Sequence, residues 1–296
     1  MIITKPGIYQ DCDATAYHGD PVAVPSLSST MAKLLVTKSP RHAWLAHPKL
    51  GGAKEEGDEE GFDPSASKAK ALGELIHALV LGKGAEIVVI NADSWRTNAA
   101  KAERDAAVAA GHIAVLAHKL PEAQAAAAAW RSQLDDMGFD RVFRDGMKEV
   151  VLVWEENGTW FRAMIDQLII DEDTKTAEIW DLKTVGRSSH PAACAKQITD
   201  FGYDLSLDFY SRGLVALRPD LAGRIKKRWV FGEVAAPFAA TPIEINGEWE
   251  MVAQMQCDRA IALWRKCVAE NRWPFYASDI VRLEPKPWMI ADAMAT

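Results

Sequence analysis

Apolar and polar positions follow two different periods along this chain. Through roughly its first half the apolar residues recur at helical spacing. Leu72, Leu75, Ile76, Leu79 and Val80 mark one face of a helix over about 67–81. Alanine-rich stretches at about 98–110 and 121–135 have strong helix propensity, with a short strand expected at 112–116 between them. Nearer the start, Ser28 is a good N-cap for a helix over about 29–35, and Ser39-Pro40 opens a second short helix carrying Arg41, His42 and Trp44. From residue 149 the period falls to two. Residues 149–154 read as a strand, Asn157-Gly158 as a turn and 160–170 as a second strand. That strand alternates Phe161, Ala163 and Ile165 against Arg162, Met164 and Asp166. After a turn at 171–176, residues 177–184 form a third strand, giving an antiparallel meander. One long helix over about 192–217, a strand at 227–234 and a helix over about 248–269 complete the pattern, followed by a tail with Trp273-Pro274 and Pro287-Trp288.

This order predicts an α/β fold: an antiparallel meander in a mixed sheet flanked by helices. It is expected to form one domain over 1–296, with a helical N-terminal part to about 145 and the meander and its helices from about 146. The acidic, Gly- and Pro-containing stretch at about 51–67 reads as a flexible surface loop rather than a boundary. With 49% hydrophobic and 25% charged residues the composition is that of a soluble globular protein. A signal peptide and a membrane span are not expected, and a cytoplasmic location is the expectation. Cys12, Cys194, Cys257 and Cys267 are scattered without C-x-x-C spacing and are expected to be free thiols rather than ligands of zinc or an iron–sulfur cluster. A net charge of −7 argues against non-specific coating of DNA, but leaves room for a local phosphate-binding groove.

The candidate chemistry lies in the meander. Asp166 and Asp181 fall late in consecutive strands joined by a short turn, so they are expected side by side. Lys183, two residues after Asp181, points to the same face. Two adjacent carboxylates repel unless a cation lies between them, and an all-oxygen site of this kind suits Mg²⁺ or Mn²⁺. An Asp-x-Lys tripeptide arises often by chance as an exposed ion pair; here its strand, Ile179–Thr184, is otherwise apolar, and charges in such a strand need a reason. His77 lies in a helix whose apolar face is otherwise complete and is either a satisfied core histidine or a ligand. Glu149, opening the meander, either adds a carboxylate to the metal or pairs with a lysine.

Taken together, Gly73-x-x-x-His77, Asp166 after an apolar strand, Asp181-x-Lys183-Thr184 and a helix with Tyr203 and Tyr210 resemble the RecB-like nucleases of the PD-(D/E)xK superfamily, which have a restriction-endonuclease-like core. The resemblance is closer to the exonuclease VIII (RecE) group of phage and prophage type. It extends to Gly7-Ile8-Tyr9, Leu27–Thr30, Ser39-Pro40, Phe201–Asp204, Phe209-Tyr210 and the tail. It implies that His77, Asp166, Asp181 and the Leu182 carbonyl bind the metal and that Lys183, with the aspartates, is catalytic. It further implies 5′→3′ exonuclease action on double-stranded DNA ends to leave 3′ single strands, a single-strand-annealing recombinase as partner and a ring-shaped homo-oligomer. One departure stands out: Ser206 occupies the place of the family's usual Gln, four residues before Tyr210, the matched tyrosine; either Gln197, earlier in the chain, substitutes for it, or the site is weakened or holds the scissile phosphate differently. Arg41, Arg162, Lys196, Lys227 and Arg228 are candidate phosphate contacts, and Trp44 and Trp160 candidate stacking residues. Rival readings are an endonuclease or single-strand nuclease of the same fold, a non-catalytic DNA-end-binding module, and an unrelated α/β protein with a chance Asp-x-Lys.

Overall fold

The computed structural model describes residues 2–51 and 64–295. The N-terminal part contains β1 (Gly7–Tyr9), α1 (Ala14–His18), β2 (Leu27–Ser28), α2 (Ser29–Thr37), α3 (Pro40–Ala46) and α4 (Pro64–Leu81). Next come β3 (Ile87–Ile90), α5 (Asn98–Ala109), β4 (Ile113–Leu116) and α6 (Leu120–Asp136). The meander is β5 (Met147–Glu156), β6 (Thr159–Asp171) and β7 (Thr176–Val185). It is followed by α7 (Pro191–Phe201), α8 (Tyr203–Leu217), β8 (Ile225–Glu233), β9 (Ala240–Glu244), α9 (Gly247–Glu270) and α10 (Pro287–Met294). Most of the acidic stretch read as a loop over 51–67 lies outside the described residues, and its last four, from Pro64, already belong to α4. Among the described residues no helix is long and apolar enough to cross a membrane.

Six strands run β1-β5-β6-β7-β8-β9 in a seven-stranded sheet, with β2 added in parallel to β6. Pairing is antiparallel from β1 through β7 and between β8 and β9, but parallel between β7 and β8. The parallel join exists because α7 and α8 carry the chain back across the sheet between those strands, as a parallel pair requires. One face of the sheet packs on α2, α8 and α9, where Trp154 stacks on Phe161 at 5.1 Å and Phe209 meets both edge-on. α8 lies close because Gly213 faces the Trp154 indole, where a Cβ would come within 2.6 Å of ring carbon. The other face takes α4 and α6, with Leu75, Ile76, Val80, Trp130 and Leu134 against Trp180, Leu182 and Val230.

The α2 cap forms as expected, the Met31 amide donating to Ser28 Oγ at 3.3 Å. The long helix expected over 192–217 is corrected to two. Gly202 takes φ +60, ending α7 in the left-handed conformation open to glycine, and α8 starts in a new direction at Tyr203. The two-stranded β3–β4 sheet is parallel and separate from the main sheet.

Candidate active site

The site lies where the meander stops being regular. The β6–β7 ladder ends at Gln167 opposite Trp180. One further step would set Asp166 opposite Asp181, but there the strands part, and the Leu182 amide donates instead to Asp166 Oδ2 at 2.7 Å. On the other side β5 and β6 pair at Lys148 with Gln167 and again at Val150 with Ile165. The register places Glu149 opposite Asp166 at the skipped step. Glu149 has φ +46, a conformation costly for a residue with a Cβ and concentrated at functional sites. The alternation shifts at this row. Val150, Leu152 and Trp154 face the α8 core, yet so does Met147; Phe161, Ala163 and Ile165 face it, yet so does Leu168. The register is the same on either side of the skipped step, so both strands depart from the ladder together, and Glu149, Asp166 and Asp181 line up across three strands at that point.

Basic side chains close on this row from both flanks. His77, from α4, approaches Asp166 Oδ2 at 3.2 Å through Nε2 and Glu149 Oε1 at 3.7 Å through Nδ1. α4 reaches the sheet because Gly73 faces Thr184, whose Oγ1 would lie 2.7 Å from a Cβ placed there. Lys183 Nζ is 2.5 Å from Asp181 Oδ2. Apart from that ammonium, this buried oxygen has no hydrogen-bond partner. Burial alone would raise Asp166, but the His77 charge and hydrogen bond, Lys183 and the Leu182 amide outweigh it and hold it below the usual carboxylate range. Asp181 is pushed up by burial and by the Asp166 charge, only partly offset by Lys183. Glu149 is raised by burial, in the face of His77. Burial disfavours the charged His77 and Lys183, yet the carboxylates raise both. Among the described residues no group of three His, Cys, Asp or Glu side chains is placed to hold a metal ion as it stands; each aspartate is turned onto a basic partner of its own.

The remaining candidates separate. Tyr210 and Ser206 are buried on the inner side of α8. Tyr210 is pushed well above its usual range by burial and the Asp181 charge, with Ser29 opposing. Ser206 faces the Gly202 carbonyl at 3.5 Å, so its hydroxyl is used within the helix junction. Gln197 is half-buried on α7. Arg162 is corrected from phosphate contact to structural residue. Its side chain is 3% exposed, donates to the Ser26 carbonyl and hydroxyl and pairs with Asp20 at 3.3 Å, leaving no access for DNA. Two further candidates are neutralised inside the protein. Lys227 lies between Asp208 and Glu250, at 3.6 and 3.1 Å, and Arg228 between Glu178 and Glu244, at 2.9 and 2.5 Å. Lys196 pairs with Asp200 at 2.5 Å on an exposed helix face. Arg41 lies flat over Trp44 at 4.1 Å, and Trp160 joins the small core under β1. One residue missed in the sequence reading is Lys33. Its stem packs on Gly202 and its ammonium stands 5.5 Å from the centre of the Tyr203 ring, which Lys183 also approaches at 4.7 Å. A lone lysine in a half-apolar helix gives no signal of this.

A mixed sheet whose meander carries Asp166 and the Asp181-x-Lys183 pair at its point of divergence, with helices on both faces, is the PD-(D/E)xK nuclease fold. The chain belongs to the family described as "PDDEXK-like domain of unknown function (DUF3799)", whose model matches residues 42–283. The fold is similar to the crystal structure of a "putative exonuclease" from Eubacterium rectale. The likeness covers 99% of both chains at a TM-score of 0.56 and 14% identity. No curated protein sequence matches the chain.

Proposed function

We propose that the chain is a divalent-metal-dependent deoxyribonuclease that hydrolyses phosphodiester bonds from double-stranded DNA ends, 5′→3′, leaving 3′ single strands. The observation that carries this reading is the row of Glu149, Asp166 and Asp181 flanked by His77 and Lys183. The donor set suits a hard cation in its chemistry: carboxylates on neighbouring strands, one with a buried oxygen partnered by the Lys183 ammonium alone, and an imidazole on the open flank. Asp166, Asp181, His77 and the Leu182 carbonyl would hold Mg²⁺ or Mn²⁺. When bound, such an ion polarises the phosphodiester and lowers the pKa of its water. Lys183, kept protonated by Asp181, presents its ammonium to charge developing on the phosphoryl oxygens. Asp166 keeps its carboxylate ionised through His77 and the Leu182 amide, and so would be available as a ligand at neutral pH. Glu149 buttresses His77 from the far side.

The test is digestion of a linear duplex labelled separately at its 5′ and 3′ ends, by wild type and by Asp181→Ala, with Mg²⁺ or EDTA. Metal-dependent shortening of the 5′-ended strands by wild type alone supports the reading and sets the polarity. Intact DNA with both Mg²⁺ and Mn²⁺, together with retained binding to ends, replaces it with a DNA-end-binding module. Cleavage of closed circular DNA replaces it with an endonuclease. A ring-shaped homo-oligomer and an annealing recombinase as partner extend the proposal; light scattering of the purified chain tests the first and co-purification the second.

A further inference from the structure

We propose that Lys33 and Tyr203 form a seat for a phosphate of the DNA backbone on the wall of the site shared with Lys183; this rests on the nuclease reading above. Two observations carry it. The first is the placement of Lys33. α2 directs its stem over the left-handed Gly202 junction, whose position would bring an added Cβ within 3.4 Å of Lys33 Cγ and Cδ, and the ammonium is carried to the Tyr203 ring. The ring stands at the first residue of α8 because the chain turns there. The second is a charge imbalance. Lys33 and Lys183 share one aromatic ring, and Asp181 sits within bonding distance of Lys183 alone. Among the described residues Lys33 has no carboxylate or carbonyl partner, unlike Lys175, Lys196 and Lys227.

A half-buried ammonium beside a second ammonium is unfavourable without an anion. Burial and the Lys183 charge lower Lys33 to about 8, with Asp181 opposing. Tyr203 supplies a ring face that attracts cations but no negative charge. A phosphodiester supplies the missing charge and accepts from Lys33 without displacing the metal-binding groups. The same chemistry arises from a 5′-terminal phosphate or from an internal one.

The experiment measures binding of a fluorescent duplex by anisotropy in EDTA across salt concentrations, for wild type, Lys33→Gln and Lys33→Arg. Each is checked for fold by circular dichroism, and Lys33→Met replaces the glutamine variant if that fails to fold. Loss of the seat is expected to raise Kd about tenfold and to lower the slope of log K against log salt by ~0.9, one phosphate contact, while arginine keeps the wild-type slope. An equal loss on 5′-phosphorylated and 5′-hydroxyl duplexes assigns the seat to an internal phosphate; a loss confined to the phosphorylated duplex assigns it to the terminal one. Wild-type slope and Kd in the neutral variant overturn the proposal. Wild type that binds with a Lys33-dependent slope but never cuts leaves the seat standing and sinks the nuclease reading. A cutting enzyme indifferent to Lys33 does the reverse.

Discussion

The Leu182 amide donates to Asp166 Oδ2 at 2.7 Å, across the gap where β6 and β7 stop exchanging ladder bonds. The carboxylate therefore stands in for the missing ladder bond, and the same oxygen meets His77 Nε2 at 3.2 Å. Asp166→Ala leaves a partly buried amide without a partner, a loss of about 1–3 kcal/mol. It is expected to lower the urea midpoint as well as abolish DNA cleavage. Asp166→Asn, which keeps an acceptor, should lose cleavage with a smaller stability change. Equal stability of alanine and asparagine variants would show that the hydrogen bond contributes nothing.

Gly73 and Thr184 set how closely α4 approaches β7. An alanine methyl 2.7 Å from Thr184 Oγ1 forces the helix outward, against a helix-propensity gain of about 1 kcal/mol. Overpacking of this kind typically costs roughly 1–3 kcal/mol. Gly73→Ala is expected to destabilise the protein and reduce kcat by displacing His77. Adding Thr184→Ala, which removes the clashing oxygen, should restore most of both; no rescue would place the effect elsewhere.

Arg162 offers the opposite profile. Truncating it takes the guanidinium from the buried Asp20 carboxylate, which keeps only its Ser26 and Val22 hydrogen bonds and His47, and breaking a buried pair costs about 3–5 kcal/mol. Arg162→Ala should show a large drop in the urea midpoint. In whatever fraction stays folded, the salt dependence of DNA binding should match wild type. A reduced slope would return Arg162 to the DNA surface.

The charge on Lys33 gives DNA affinity a pH dependence. Its pKa falls to about 8 through burial and Lys183, with Asp181 opposing and Tyr203 close by. A bound phosphate favours the ammonium, so binding takes up a proton above that pH. Affinity is thus expected to hold below about pH 8 and weaken as pH rises through it. Lys33→Arg, which stays charged, should flatten the profile. Anisotropy titrations from pH 7 to pH 9.5 read this directly, and a wild-type profile as flat as the arginine variant's would contradict it.

The meander was legible because apolar side chains alternate along β6 and β7 and Asn157-Gly158 marks the hairpin. The same alternation concealed the shift at Glu149 and Asp166, since nothing in a period-two pattern reports a positive φ. It also made Arg162 look like a neighbour of Asp166, when the side chain is tied into Asp20 and Ser26. The break at Gly202 was hidden because Ile198, Leu205, Phe209 and Leu214 keep nearly helical spacing across it. β1 and β2, at three and two residues, are too short to show a period, and β9 contains Pro242, which weakens a strand reading. His77 was visible as a polar residue on a finished apolar face. Lys33 was not, because its partner is a ring brought from a distant helix.

The three carboxylates come from one meander, joined by turns of a few residues, whereas Lys33 and His77 arrive from helices far back in the chain. Contacts at short sequence separation form with the least loop-closure entropy. During folding the acidic row is therefore expected to assemble ahead of those two cations, as a nascent sheet that repels itself. Late docking of α4 and α2 would then relieve that repulsion; divalent ions would relieve it earlier, so their presence during refolding should speed assembly of the sheet itself.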